Sequence, residues 1–151
     1  MGFDTPNGTR GRRQPGTLGR WGNKFTMGRI RRKGKLGSMN ALVLTTIGRK
    51  SGAERQTPVG RFPGKDGTWL IVASAAGGAN NPAWYYNLAA HPDRAWIEME
   101  GRKTAVTAEQ LDGAEREEAW RQITTAAPNF AKYETATDRV IPVIRLTPRS
   151  G

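Results

Sequence analysis

The sequence predicts a mainly β protein of the α+β kind, a small closed barrel of six short strands with helices at its flanks. Three observations lead there. Apolar, β-branched runs of strand length recur at 40–47, 68–74, 95–100 and 140–146. Clusters of turn-forming residues separate neighbouring runs by only a few positions, as hairpins require. Helical patterns in the body of the chain are confined to 82–90 and 112–127, too few for the helix that each parallel crossover would need.

Taken in order, residues 1–17 are rich in Gly, Arg and Pro with almost nothing to bury, and are expected to form a disordered basic arm. From 18 to 32, Leu18, Trp21, Phe25 and Ile30 recur at broadly helical spacing among Arg20, Lys24, Arg29, Arg31 and Arg32. This predicts a basic amphipathic helix, joined by a linker through residue 38 to the barrel at 39–151. Such a helix either packs its Trp and Phe on the barrel, covers a ligand as a lid, or makes a weak contact with an anionic membrane surface.

The strand at 40–47 closes on Gly48-Arg49-Lys50-Ser51-Gly52, and a second strand spans 55–62. Pro63-Gly64-Lys65-Asp66-Gly67 turns the chain into a third strand at 68–74. Asn81 is placed to cap a helix whose first position is Pro82. Segments 95–100 and 102–109 form a hairpin about Gly101, with Trp96, Glu98 and Glu100 alternating against Ile97 and Met99. Asp112-Gly113-Ala114-Glu115 reads as a capping box opening a helix with Ala119, Trp120, Ile123 and Ala127 on one face. The last strand, 140–146, carries Pro142, which places it at an edge or a bulge.

Composition bounds the chemistry. A chain of 151 residues is one domain by size and buries a real core. No stretch reaches the roughly 20 apolar residues that span a bilayer, and the N-terminus has no apolar signal region, so a cytoplasmic location is expected, with the inner face of the membrane as a peripheral site. Zero Cys excludes disulfides and thiolate chemistry, and a lone His91 before Pro92 excludes a His-based triad or a His-rich metal site. The net charge of +11 is concentrated, because 10–35 holds ten Lys or Arg and no acid. Nucleic acid, an anionic membrane and an acidic ligand all suit such an arm. A nucleic-acid platform would interleave aromatics with its cations, and most aromatics here lie outside the arm, so no nucleic-acid partner is expected.

Two junctions look like halves of one ligand site. In the turn 48–52, two cations and a hydroxyl sit between glycines that let the backbone bend with its N–H groups inward, a set that suits a phosphate or carboxylate. Arg55 returns towards the same turn on the next strand. A solvated hairpin turn would use the same residues, and the pattern is not a P-loop. The second junction, Ala73 to Asn87, combines small residues with Trp84, Tyr85 and Tyr86 just inside a helix N-terminus, which favours anions. Aromatic planes beside an anion-binding turn suit a flat heterocycle with an acidic tail.

Thr46 to Gly52, Arg55 and Pro58, Ala73 to Gly78, Asn81 to Leu88 with His91-Pro92, and Thr137 to Val143 follow one another in an order that resembles the deazaflavin-dependent nitroreductase or quinone reductase family of actinobacteria, over roughly 39–147. The resemblance implies the split β-barrel of flavin-binding oxidoreductases, coenzyme F420 as cofactor, and hydride transfer to a quinone or nitro-aromatic acceptor. It implies that Arg49, Lys50 and Arg55 hold the anionic tail, with Ser51 and the local backbone N–H groups assisting, and that Gly52 and Gln56 also belong to the cofactor site. Thr57, Pro58, Val59, Ala73, Ser74, Ala75, Ala76, Ala83, Trp84, Tyr85, Tyr86 and Asn87 would line the ring, with Phe130 and Tyr133 on the acceptor side. No catalytic side chain is certain, Tyr133 being the candidate proton donor, and no metal is called for. Several members carry a Ser-Lys pair where this chain has Ala75-Ala76, and Tyr where it has Gly60 and Phe130, so the resemblance does not fix substrate range. Two other classes compete: a split-barrel oxidoreductase that binds FMN, and a basic, non-enzymatic barrel on nucleic acid.

Overall fold

The computed structural model describes residues 3, 5–8, 27–36, 39–74 and 80–149. A single antiparallel sheet organises them, with strands β1 (Lys35–Leu36), β2 (Met39–Ile47), β3 (Glu54–Gly60), β4 (Phe62–Pro63), β5 (Trp69–Val72), β6 (Ala95–Met99), β7 (Arg102–Gln110) and β8 (Val143–Pro148). The order is β1-β2-β6-β7-β8-β5-β4, and β3 pairs with β2. Because β3 runs through Arg61 straight into β4, one continuous stretch of chain spans both ends of the sheet and curls it into a barrel.

The sequence reading made 55–62 one strand among six; the structure breaks that strand at Arg61 and adds the two-residue pieces β1 and β4. Arg61 is the reason for the break. Its backbone N–H donates to Asn40 O (3.0 Å), and its buried guanidinium donates to Ala41 O (3.0 Å) and Gly34 O (3.2 Å) over the face of Trp69. A buried cation is tolerable only when its donors are met in this way, and here they pin the seam.

β2 has cores on both sides, which explains a continuous apolar run where alternation would otherwise appear. Leu42 and Leu44 face the barrel interior with Ile97, Ile144 and Leu146, while Ala41 and Val43 lie under Ile30 of α1, the helical residues 27–33. A second core forms outside β5 and β8, where Leu70, Val72 and Val143 meet Trp120 and Ile123 of α3 (Gly113–Ala126) and Phe130 of α4 (Asn129–Ala136). The remaining helix, α2 (Ala83–Ala90), sinks Tyr85 and Leu88 into the interior. It carries the site.

Both helix caps differ from expectation, and in each a long-range arginine takes one of the side chains, Asn81 or Glu115. Pro82, not Asn81, is the N-cap of α2, and Asn81 Oδ1 instead accepts from Arg139 (2.7 Å). Asp112 caps α3 without a side-chain hydrogen bond, and Glu115 reaches Arg145 (2.7 Å) rather than folding back. The expected disorder of 1–17 fails at residues 3 and 5–8, which are tied to α2: Phe3 stacks edge-on against Tyr85, and Thr5 N–H donates to the Tyr85 hydroxyl (3.0 Å). Phe3, half-buried against the core, was the apolar anchor that the reading of the arm overlooked. The rest of the arm and the first half of the basic helix lie outside the described residues.

Candidate functional site

The turn after β2 is built by its own backbone. Gly48 N–H donates to Ala53 O (2.7 Å), Gly52 N–H to Gly48 O (2.9 Å) at φ +72°, and Ala53 N–H to Ser51 Oγ (3.2 Å). Arg49 N–H goes to Asn87 Oδ1 (3.1 Å), while Asn87 Nδ2 donates to Thr46 Oγ1 (3.1 Å). Two expectations change as a result. The N–H groups of residues 48, 49, 52 and 53 close the turn and are not offered to a ligand, and Gly52 lies off the cavity. The side chains of Arg49, Lys50 and Arg55, all exposed, bring three positive charges to this place. Gly48 is required by crowding, since a Cβ there would lie 2.7 Å from Ser51 Oγ and 3.7 Å from Arg55 Nε, which also places Arg55 back at the turn.

These cations face a cavity of about 550 Å³, lined also by Thr46, Ser51, Thr57, Pro82, Ala83, Trp84 and Asn87. Among its described lining residues there is no Asp or Glu. A second cavity of about 330 Å³ is lined by Met39, Pro58, Val59, Gly60, Val72, Ser74, Pro82, Trp84, Asn129, Phe130 and Tyr133. Pro82 and Trp84 belong to both, so the two cavities share a wall at the start of α2.

Most of the residues singled out from the sequence come together here, but not all. Gln56 lines the first cavity too, but its side chain is engaged elsewhere. By register it pairs with Thr45, on the face of β2 turned to α1, and its Oε1 accepts from Arg31 (2.6 Å). Ala73 is wholly buried in the core, its carbonyl held by Arg139 (2.8 Å). Tyr85 is likewise buried, its hydroxyl donating to Gln110 Oε1 (2.6 Å), and so it cannot face a ligand. Tyr86 sits behind the turn, with the Arg49 guanidinium 4.6 Å above its ring. Asn87 lines the first cavity, but its amide is spent on joining α2 to the turn. Ala75 and Ala76 lie outside the described residues.

Two further contributors escaped the sequence. Asn129 Nδ2 donates to the Tyr133 hydroxyl (3.2 Å) one helical turn away, at the mouth of the second cavity. Arg139 is buried and donates to Ala73 O, Ser74 O (2.7 Å) and Asn81 Oδ1, clamping the end of β5 to the start of α2. Burial lowers its pKa, against the opposing influence of Tyr86 and Tyr85. The motif around Thr137 to Val143 drew attention to this segment, but only the tertiary contacts reveal the clamp. Among the described residues no cluster of His, Cys, Asp and Glu could hold a metal, and no helix is long and apolar enough to cross a membrane.

The family model for F420H(2)-dependent quinone reductases matches residues 21–148. The chain belongs to that family. It is 33% identical over 138 residues to an F420H(2)-dependent quinone reductase of Mycobacterium tuberculosis strain H37Rv, covering 89% of this chain and 84% of that protein. A solved structure described as an F420-H2 dependent reductase is 36% identical with a TM-score of 0.63, over 70% of this chain and 92% of the other. A second, described as a domain-swapped dimer, is 32% identical with a TM-score of 0.64, over 86% and 99%. The protein is thus an F420-dependent reductase of split-barrel type, with coenzyme F420 as its cofactor and a quinone-type acceptor.

Proposed function

We propose that the two cavities divide the reaction between them: the cationic one holds the anionic tail of coenzyme F420, and the shared wall and second cavity hold its ring against the quinone. The observation that carries this reading is the pairing of an acid-free cavity edged by three cations with an apolar one across Trp84. Phosphate and carboxylates suit the first, and a flat heterocycle suits the second, where Pro58, Val59 and Ser74 offer little bulk.

When bound in reduced form, the cofactor supplies a hydride. The chain's own residues position and shield. Pro58, Val59, Val72 and Phe130 give the second cavity apolar walls that exclude water from the transfer. Trp84, fixed at the first turn of α2, separates tail from ring. A quinone that accepts a hydride also needs a proton on oxygen to become the quinol. Tyr133 stands where its hydroxyl can hydrogen-bond that oxygen and pass on a proton that solvent then restores. Ser74 brings a second hydroxyl to this cavity, and water is the alternative source of the proton.

The test is a binding titration of coenzyme F420 and FMN in parallel, followed by turnover with menadione. Tight coenzyme F420 binding, weakened by salt, with little FMN binding, is expected. FMN bound as tightly as coenzyme F420 would show that the cations do not select the longer acidic tail.

A further inference from the structure

The segment at residues 5–8 falls in the arm expected to be disordered, yet it bridges both halves of the cofactor cradle. Asn7 Oδ1 accepts two hydrogen bonds, from the Tyr86 hydroxyl (2.6 Å) and from the backbone N–H of Asn81 (2.8 Å). The backbone N–H can only donate, so the Asn7 atom it meets is the carbonyl oxygen, and the Tyr86 hydroxyl must donate to it as well. Asn81 answers by donating its Nδ2 to Thr5 O (2.9 Å). At the far side, Gln110 Nε2 donates to Thr5 Oγ1 (2.8 Å), which fastens the segment to β7.

Both groups held by Asn7 act on the site. Tyr86 is the ring beneath the Arg49 guanidinium, and Asn81 directly precedes Pro82, which walls both cavities. Next along, Gly8 lies so close to residues 138 and 139 that a Cβ there would clash with the Asp138 carboxylate and come within 2.9 Å of Arg139 Cβ. The strap therefore seats by close approach and not by loose contact.

We propose that residues 5–8 form a positioning strap for cofactor binding, in which Asn7 fixes Tyr86 as the platform for Arg49 and fixes the start of α2. This rests on the reading that Arg49 meets the cofactor's acidic tail. Held rigid, a guanidinium loses less freedom on binding an anion, so the strap adds affinity without touching the ligand. Asn7 is a positioning residue, since Tyr86 and Arg49 stand between it and the cavity.

The test uses the full chain, titrated with coenzyme F420, and amide hydrogen exchange without cofactor. Asn7→Ala should raise the dissociation constant about tenfold, the effect of losing a shared acceptor on a platform for a charged contact. It should leave the single-turnover rate at saturating cofactor within about twofold, and speed exchange at Arg49 and the first turn of α2. Asn7→Asp should stay within about twofold of the natural protein, because a carboxylate oxygen accepts the same two hydrogen bonds. Gly8→Ala, which unseats the strap without altering Asn7, should behave like Asn7→Ala. Added to Arg49→Ala, the Asn7→Ala change should weaken binding by less than about twofold further. Unchanged affinity in Asn7→Ala, with Arg49→Ala weakened, overturns the strap and leaves the tail reading standing. Unchanged affinity in Arg49→Ala overturns the tail reading, and the strap's route through Arg49 falls with it. Failure of Asn7→Asp to rescue reduces Asn7 to a packing role and overturns the proposal.

Discussion

The two cavities either side of Trp84 differ in what makes them. The first is edged by Arg49, Lys50 and Arg55, side chains standing in solvent on a turn whose backbone is already closed on itself. The second is cut out of the core, with Val59, Val72 and Phe130 buried and Tyr133 half-buried above them. Exposed cations bind an anion in high dielectric and are screened by salt, whereas an apolar slot selects by shape and excludes water. Affinity and acceptor choice should therefore reside in separate places, and substitutions should separate them.

The largest effect is expected from removing the charge altogether. Each of Arg49, Lys50 and Arg55 changed to Ala should cost roughly 1.5 to 3 kcal/mol of cofactor binding, so the triple variant should bind coenzyme F420 at least about 1,000-fold more weakly, measured by fluorescence titration. The Michaelis constant for menadione at saturating cofactor should not move. A joint rise would mean that the two cavities act as one.

Tyr133→Phe reverses the pattern. Cofactor affinity should hold, while single-turnover oxidation of the reduced cofactor by menadione slows by up to about 100-fold, the low end for loss of a proton donor when water can substitute. Abolition of the step would make Tyr133 indispensable and end the view of a mainly orienting protein. Trp84→Ala is the exception that the shared wall predicts, because it opens both cavities and should weaken binding and turnover together, each by about tenfold.

Local chemistry explains which parts of this arrangement could be read from sequence. The run 40–47, the basic turn and the aromatic start of α2 declare themselves through composition and punctuation, and the barrel follows from hairpin spacing. Facing is harder. Both sides of β2 are buried, so no alternation shows that Gln56 turns to α1 while Arg55 and Thr57, one residue away, turn to the site. Trp84, Tyr85 and Tyr86 are adjacent on a helix, where successive side chains diverge by about 100°, and only one of the three lines the cavities. Asn81, Asp112 and Glu115 carry correct capping chemistry, and Asn81 and Glu115 are claimed by arginines distant in sequence. Arg61 and Arg139 are illegible for a related reason: their acceptors are mostly backbone carbonyls, which leave no trace in residue type.

The smallest predicted effect is also the sharpest probe of the apolar side. Asn129 and Tyr133 stand one turn apart on α4, and the carboxamide donates to the phenolic oxygen at 3.2 Å. That bond occupies a lone pair of the phenol and turns its O–H away from Asn129, so the direction of the proton is steered. A neutral hydrogen bond at an exposed position contributes about 1 kcal/mol net, so Asn129→Ala should raise the Michaelis constant for menadione about fivefold. Coenzyme F420 affinity should be unchanged, because Asn129 belongs to the second cavity alone. In a Tyr133→Phe background the hydroxyl is gone, and the same Asn129→Ala change should have no effect on the Michaelis constant. Equal fivefold losses in both backgrounds would mean that Asn129 meets the acceptor directly, and Tyr133 would then lose its place as the group that Asn129 orients.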